Sequence, residues 1–269
     1  MFTMKRGEHG AVVTMVQTMP VKLSVNLNKV ALLRNQREVG YPSVVEAARM
    51  VLAAGAHGVT VHPRPDERHI RRTDVLEVAA LIAAELGPSV EYNIEGYPSE
   101  DFVALVRAVR PTQVTLVPDA PEQRTSDHGW DLVRDAARLK GLIAALKESG
   151  ARISLFMDAD PATIATAATV GADRIELYTG PYAEAFAAGE AGILLRRYAQ
   201  AAEVAAGAGL GVNAGHDLNL DNLPAFCQAL PQLAEVSIGH AITADALRIG
   251  FPAAVEAYLR AIRRVSLAA

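Results

Sequence analysis

Short apolar runs of four to six residues recur along this chain, and most close on a polar side chain able to do chemistry. They are Leu23-Ser24-Val25-Asn26, Val59-Thr60-Val61-His62, Tyr92-Asn93-Ile94-Glu95, Val114-Thr115-Leu116-Val117, Ile153-Ser154-Leu155-Phe156-Met157-Asp158, Ile175-Glu176-Leu177-Tyr178, Leu210-Gly211-Val212-Asn213 and Val236-Ser237-Ile238-Gly239-His240. Between them apolar positions return at helical spacing. Val44, Ala47, Ala48, Val51 and Leu52 make one buried stripe; Phe102, Leu105, Val106 and Val109 make another. The same period runs through Leu139, Leu142, Ile143 and Leu146, through Leu194, Tyr198, Ala201, Ala202 and Ala205, and through Val255, Leu259 and Ile262. Glycine-rich turns such as Ala54-Gly55-Ala56-His57-Gly58 and Ala206-Gly207-Ala208-Gly209 follow the helical stretches and stop them. Strands this short, alternating with helices, imply parallel pairing. Eight such units predict a closed (β/α)8 TIM barrel with extra short helices, whose active site lies at the C-terminal ends of the strands.

Length and charge narrow the picture. A chain of 269 residues suits one barrel, here expected over residues 21–269. Residues 1–20 carry mixed charge and a short apolar patch from Val12 to Val16, and Pro20 separates them from the first strand. They read as a frayed extension, a late start site or an added strand over the barrel floor. A net charge of −4 without a basic stripe argues against a nucleic-acid partner. The lone Cys227 excludes an intramolecular disulfide, and no run approaches a membrane span, so a cytoplasmic setting is the default.

His62 and Glu95 end the second and third runs, and His216 lies just beyond the seventh. A barrel brings these ends to one mouth, where histidines and a buried carboxylate can move protons repeatedly. Asn213-Ala214-Gly215-His216-Asp217 and Ile238-Gly239-His240-Ala241 occupy the two loops that often bind phosphate in barrels, with Ala241–Ile249 as the expected extra helix. Arg34 and Arg37 after the first strand, and Arg64 and His69 after the second, are candidate anion ligands, Arg64 foremost; Arg71 and Arg72 read as solvated or paired. Thr125-Ser126-Asp127-His128-Gly129-Trp130 forms a loop able to act as a lid, with Trp130 as a rim anchor. A metal site drawn from Asn26, His62, Glu95, Glu176, His216 and His240 is a minority reading, because no close His-x-His or His-x-x-x-His spacing supports it. No glycine-rich nucleotide fingerprint follows the first strand.

Six ordered motifs then carry a resemblance: Val61-His62-Pro63-Arg64-Pro65-Asp66-Glu67-Arg68-His69-Ile70, Asn93-Ile94-Glu95, Thr115-Leu116-Val117-Pro118, Glu176-Leu177-Tyr178-Thr179-Gly180, Val212-Asn213-Ala214-Gly215-His216 and Ile238-Gly239-His240-Ala241. The chain resembles the pyridoxine 5′-phosphate synthase family from Lys22 to the C-terminal helix. The resemblance implies condensation of 3-amino-2-oxopropyl phosphate with 1-deoxy-D-xylulose 5-phosphate to pyridoxine 5′-phosphate, with release of phosphate and water. It implies an octamer of barrels and no nucleotide, cofactor or metal. It makes His62 and Glu95 proton acceptors and His216 a proton donor. Arg64, His69 and Thr125 would hold the deoxyxylulose phosphate; Asn26, Arg37, Asp217, Gly239 and His240 would hold the aminoketone phosphate. Three departures mark this chain. Asn28-Lys29 stands where the family often has Asp-His, Tyr178 replaces a frequent histidine, and Asp217 replaces a common glycine.

Two other classes compete. A barrel enzyme on another phosphorylated sugar or amino ketone is one, although a Schiff-base aldolase would want a lysine at a strand end and none of the eight runs ends in one. A non-catalytic barrel is the other, and it should have lost the acids and bases that this mouth keeps.

Overall fold

Every predicted strand forms, and the eight close on one another in chain order. In the computed structural model, which describes residues 20–37, 39–119, 123 and 125–263, the strands are β1 (Lys22–Asn26), β2 (Gly58–Val61), β3 (Glu91–Gly96), β4 (Gln113–Leu116), β5 (Arg152–Met157), β6 (Arg174–Tyr178), β7 (Gly211–His216) and β8 (Leu233–Ile238). All pairings are parallel, and β8 returns to β1 with Leu23 opposite Val236, which makes the architecture a (β/α)8 TIM barrel. The helices are α1 (Asn28–Arg34), α2 (Val44–Ala53), α3 (Arg72–Leu81), α4 (Glu100–Val109), α5 (Leu132–Lys147), α6 (Thr166–Thr169), α7 (Gly180–Ala187), α8 (Ala191–Gly207), α9 (Leu223–Ala229), α10 (His240–Ile249) and α11 (Phe251–Ala261). A π-helical turn, Ile82–Leu86, continues α3. The expected extra helix after β8 is α10. The proposed N-terminal extension lies outside the described residues, apart from Pro20.

Local chemistry explains where helices begin. The hydroxyl of Ser43 accepts the Glu46 amide at the start of α2, and Ser99 accepts that of Phe102 at the start of α4. The Asp131 carboxylate does the same for Val133 and Arg134 at α5.

Period-two alternation then divides each strand between two environments. Leu23, Val25, Val59, Val61, Ile94, Leu116, Ile153 and Leu155 are fully buried and belong to the hydrophobic core beneath the helices. The intervening side chains fill the lumen, and most of those described are polar. Ser24 Oγ lies 2.7 Å from Thr60 Oγ1, which also accepts from Ser237 Oγ at 3.2 Å and from Asn93 Nδ2 at 3.4 Å. Thr115 Oγ1 donates to Asn93 Oδ1 at 3.1 Å. Lower down, Asn213 Nδ2 reaches across the barrel to Gln113 Oε1 at 3.5 Å. Buried polar groups persist only when they bond one another, and this ladder does so over much of the lumen. At the floor, Glu91 pairs with Arg152 and sits 3.7 Å from both Arg174 Nη1 and Lys22 Nζ, while Arg174 Nη1 is also 3.7 Å from Glu235.

Candidate active site

The C-terminal strand ends open on a cavity of about 610 Å³. His62, Glu95, His216, Asn26, Arg64, His69, Thr125, Asp217, Gly239 and His240 all line it. Arg37 does not: it stands exposed on the turn after α1.

His62 and Glu95 form the deepest pair. The Nδ1 of His62 is 3.8 Å from Glu95 Oε2, and both side chains are buried. Asn26 Nδ2 donates to the same carboxylate oxygen at 3.4 Å. Burial, then the nearby Arg64 and His69, hold His62 well below the usual histidine range, so its imidazole is neutral. Burial, then Glu176 and Asp119, push Glu95 well above the usual carboxylate range. The Asn28 side chain accepts the His62 backbone amide at 2.9 Å, and the Asn28 amide donates to Asn26 Oδ1 at 3.0 Å. Asn28 therefore ties the end of β1 to the end of β2, a role that an asparagine fills as well as an aspartate.

The anion side is built on buried arginine. Arg64 is paired with Asp119 and donates to the Gln123 carbonyl at 3.0 Å. Ser126 Oγ donates to the same Asp119 oxygen at 2.6 Å. Arg34, a candidate anion ligand by sequence, is instead buried against Asp74, and it reaches the His69 carbonyl at 3.2 Å. Asn35 Nδ2 donates to that carbonyl at 2.8 Å. Arg34 thus moors the loop that carries Arg64 and His69. Burial, then Arg64 and Lys29, lower His69 to about 4, so its neutral ring stands among cations ready for an anion.

His216 ends β7 with φ of 97°, left-handed backbone that a non-glycine residue rarely adopts and that clusters at functional sites. Its Nε2 is 2.9 Å from Thr125 Oγ1, its Nδ1 is 3.0 Å from Asp217 Oδ2, and the Tyr178 ring meets it edge-on at 5.3 Å. A side chain at the preceding Gly215 would overlap the Glu176 carboxylate. Gly239 lets the start of α10 close on β1, since a Cβ there would lie 3.1 Å from Asn26 Cβ. No side chain caps α10, whose N-cap Gly239 and first residue His240 line the cavity.

Sequence reasoning undervalued Glu176, naming it only as a possible metal ligand. It is buried, accepts from Thr115 Oγ1 at 3.4 Å, and is raised to about 7 by burial against the opposing pull of His216. Its signal was an acid inside an apolar strand run. Asp119, which holds Arg64, carried no such signal. Trp130 anchors its loop as expected, donating to the Leu116 carbonyl at 2.8 Å and stacking on Tyr97 at 6.1 Å. Among the described residues, no three His, Cys, Asp or Glu side chains converge as a metal ligand set.

Comparison with known proteins places the chain in a family. The family model for "Pyridoxal phosphate biosynthesis protein PdxJ" matches residues 23–264. Pyridoxine 5′-phosphate synthase of Mesorhizobium japonicum is 58% identical, over 90% of this chain and 99% of that protein. The enzyme of the same name from Albidiferax ferrireducens is 57% identical, over 91% and 98%. A solved tryptophan synthase from M. tuberculosis, 15% identical and covering 92% of this chain and 94% of its own, superposes with a TM-score of 0.60 and shares the fold alone. The chain belongs to the pyridoxal phosphate biosynthesis protein PdxJ family.

Proposed function

We propose that this chain joins 3-amino-2-oxopropyl phosphate to 1-deoxy-D-xylulose 5-phosphate and closes the ring of pyridoxine 5′-phosphate, releasing phosphate and water. The observation that carries the reading is one cavity lined both by anion-binding groups from two loops and by a set of acids and bases. Arg64 and His69 follow β2, and Gly239, His240 and the uncapped start of α10 follow β8. His62, Glu95 and His216 line the same cavity.

The chemistry asks each group for something its surroundings supply. An amine attacks a ketone only when unprotonated, and neutral His62 has a free ring nitrogen to take its proton. Glu95, pushed upward by burial, is a stronger base than an ordinary carboxylate once ionised, and an ammonium entering beside it favours that ionised form. His216 presents Nε2 beside Thr125, where a proton can be delivered to a departing hydroxyl so that the C–O electrons leave with water. Thr125 joins Arg64 and His69 around the deoxyxylulose phosphate. Asn26 and the backbone at Asp217 join Gly239 and His240 around the aminoketone phosphate. Arg37 takes part only by reaching in from its exposed turn. The same reading carries self-association as an octamer and a cytoplasmic setting; no helix among the described residues is long and apolar enough to cross a membrane.

The direct test is to incubate purified protein with both substrates and follow the appearance of fluorescent pyridoxine 5′-phosphate together with inorganic phosphate. Product that needs both substrates supports the reading. Binding of both without product removes it.

A further inference from the structure

Asp217 is an acid in a pocket we read as binding two phosphates, where a carboxylate aimed at a ligand would repel it. Its carboxylate is engaged by a neighbouring side chain. Strand alternation would send residue 217 to the face opposite residue 216. The φ of 97° at His216 ends that alternation, and the Asp217 carboxylate folds back onto its own neighbour, with Oδ2 3.0 Å from His216 Nδ1. The Asp217 carbonyl accepts from Asn222 Nδ2 at 3.2 Å, so the backbone is held independently of the carboxylate. The other ring nitrogen, Nε2, faces Thr125 Oγ1 at 2.9 Å. Tyr178 packs edge-on against the ring, and Glu176 is near enough to be pulled down by His216.

We propose that Asp217 is a positioning residue: its carboxylate fixes His216 in the Nδ1–H tautomer and so reserves Nε2 for proton transfer in the cavity. An ionised carboxylate can only accept, so the nitrogen facing it must carry the hydrogen. The hydrogen bond from His216, and more weakly His240 and Lys29, keep the Asp217 carboxyl below its ordinary range, which leaves it ionised at neutral pH. Nε2 can then gain and lose a proton without turning the ring, and the Thr125 hydroxyl can donate to it or accept from it. The logic is that of the aspartate behind the catalytic histidine of serine proteases, where loss of the carboxylate gives the wrong tautomer. Here the Asp217 side chain is half exposed, so the effect is smaller. The inference rests on the reading of His216 as proton donor, but its central claim concerns the free protein.

The test is a solid-state 15N spectrum of protein labelled in its seven histidines, with His216→Asn identifying the His216 signal. The parent should show neutral His216 protonated at Nδ1, and Asp217→Ala should show the Nε2–H form that a free imidazole prefers. In kinetics, Asp217→Ala and Asp217→Asn should lower kcat roughly tenfold to a hundredfold, leaving each KM within about twofold, while Asp217→Glu recovers part of kcat. An unchanged tautomer in Asp217→Ala, or a loss confined to KM, overturns the proposal. If the parent makes no product, the function reading fails, and the tautomer alone decides the pairing.

Discussion

Two pairs of carboxylates share the lumen of this barrel, and among the described residues only one pair lies within ion-pair distance of arginine or lysine. At the floor, Glu91 meets Arg152, Arg174 and Lys22, and Glu235 lies 3.7 Å from Arg174. Burial alone would raise Glu91, but the hydrogen bond from Glu235 and the two arginines outweigh it and hold Glu91 below the ordinary range. Glu235, raised by burial and by Glu91, keeps its proton and donates it in that bond. At the mouth, Glu95 and Glu176 are as deeply buried, but neither has an arginine or lysine within ion-pair distance among the described residues. Both rise. The same side chain in the same barrel is therefore structural where its charge is answered and poised where it is not.

The sharpest way to break this contrast is Glu95→Gln. The amide keeps the size and can still accept from Asn26, but it cannot take a proton. If Glu95 is a general base, kcat should fall on the order of a thousandfold while the protein still folds. A near-parental rate would make Glu95 as structural as the floor pair.

The converse experiment is Arg174→Leu at the floor. It removes a cation near both Glu91 and Glu235 and breaks the bond from Arg174 Nη1 to Asn213 Oδ1 at 3.0 Å. Stripping one partner from a buried ionic cluster costs about 3 kcal/mol, which denaturant unfolding would read directly. Turnover per folded molecule should be unchanged. A large loss of kcat without loss of stability would dissolve the division between the two ends.

Reading the apolar runs by their last residues finds the mouth and misses the rest of the lumen. Two positions before each inward-facing end lies another inward side chain: Ser24 before Asn26, Thr60 before His62, Asn93 before Glu95, Thr115 before Val117 and Glu176 before Tyr178. That alternation is present in the sequence, and with eight parallel strands it implies a polar interior. The floor network was less legible, because Arg152, Arg174, Glu91 and Lys22 open their strands and look like ordinary solvated strand starts. Arg34 and Arg37 show the remaining limit. They lie one turn apart on the same segment, and nothing local says that Arg34 is buried against Asp74, forty residues away, while Arg37 faces solvent. Such choices are tertiary.

A gentler probe of the mouth is the pH dependence of stability in Glu176→Gln. Glu176 is raised from the ordinary carboxylate value to about 7 in the folded chain. Its favourable contribution is therefore complete below the unfolded value, where both states are protonated. It is lost as pH rises from there through about 7, because the folded state resists ionisation while the unfolded state does not. Glutamine removes that penalty. The variant should match the parent near pH 4 and gain about 1–2 kcal/mol at pH 8, a Tm increase of a few degrees for a chain of this size. A variant less stable than the parent at pH 8 would mean that the Glu176 charge is answered after all.

The smallest effect is expected at Lys29, and it asks whether the rim has a cation of its own. Lys29 lies in the first turn of α1 and lines the cavity. A lysine there opposes the helix dipole, and Lys29 forms no ion pair among the described residues, so local stability does not explain its presence. Its charge is felt at His69, which it helps to push down, and more weakly at Asp217. His69 belongs to the proposed grip on the deoxyxylulose phosphate. Lys29 would therefore supply the positive contact that a histidine at this position offers only when protonated. Lys29→Met should raise KM for deoxyxylulose phosphate roughly threefold to tenfold, with kcat and the other KM little changed, because uniform binding is lost rather than transition-state stabilisation. The difference between variant and parent should shrink at high salt, as expected of a half-exposed charge. Equal constants for both proteins at low salt would leave Lys29 as surface and confine the phosphate to Arg64 and its neighbours.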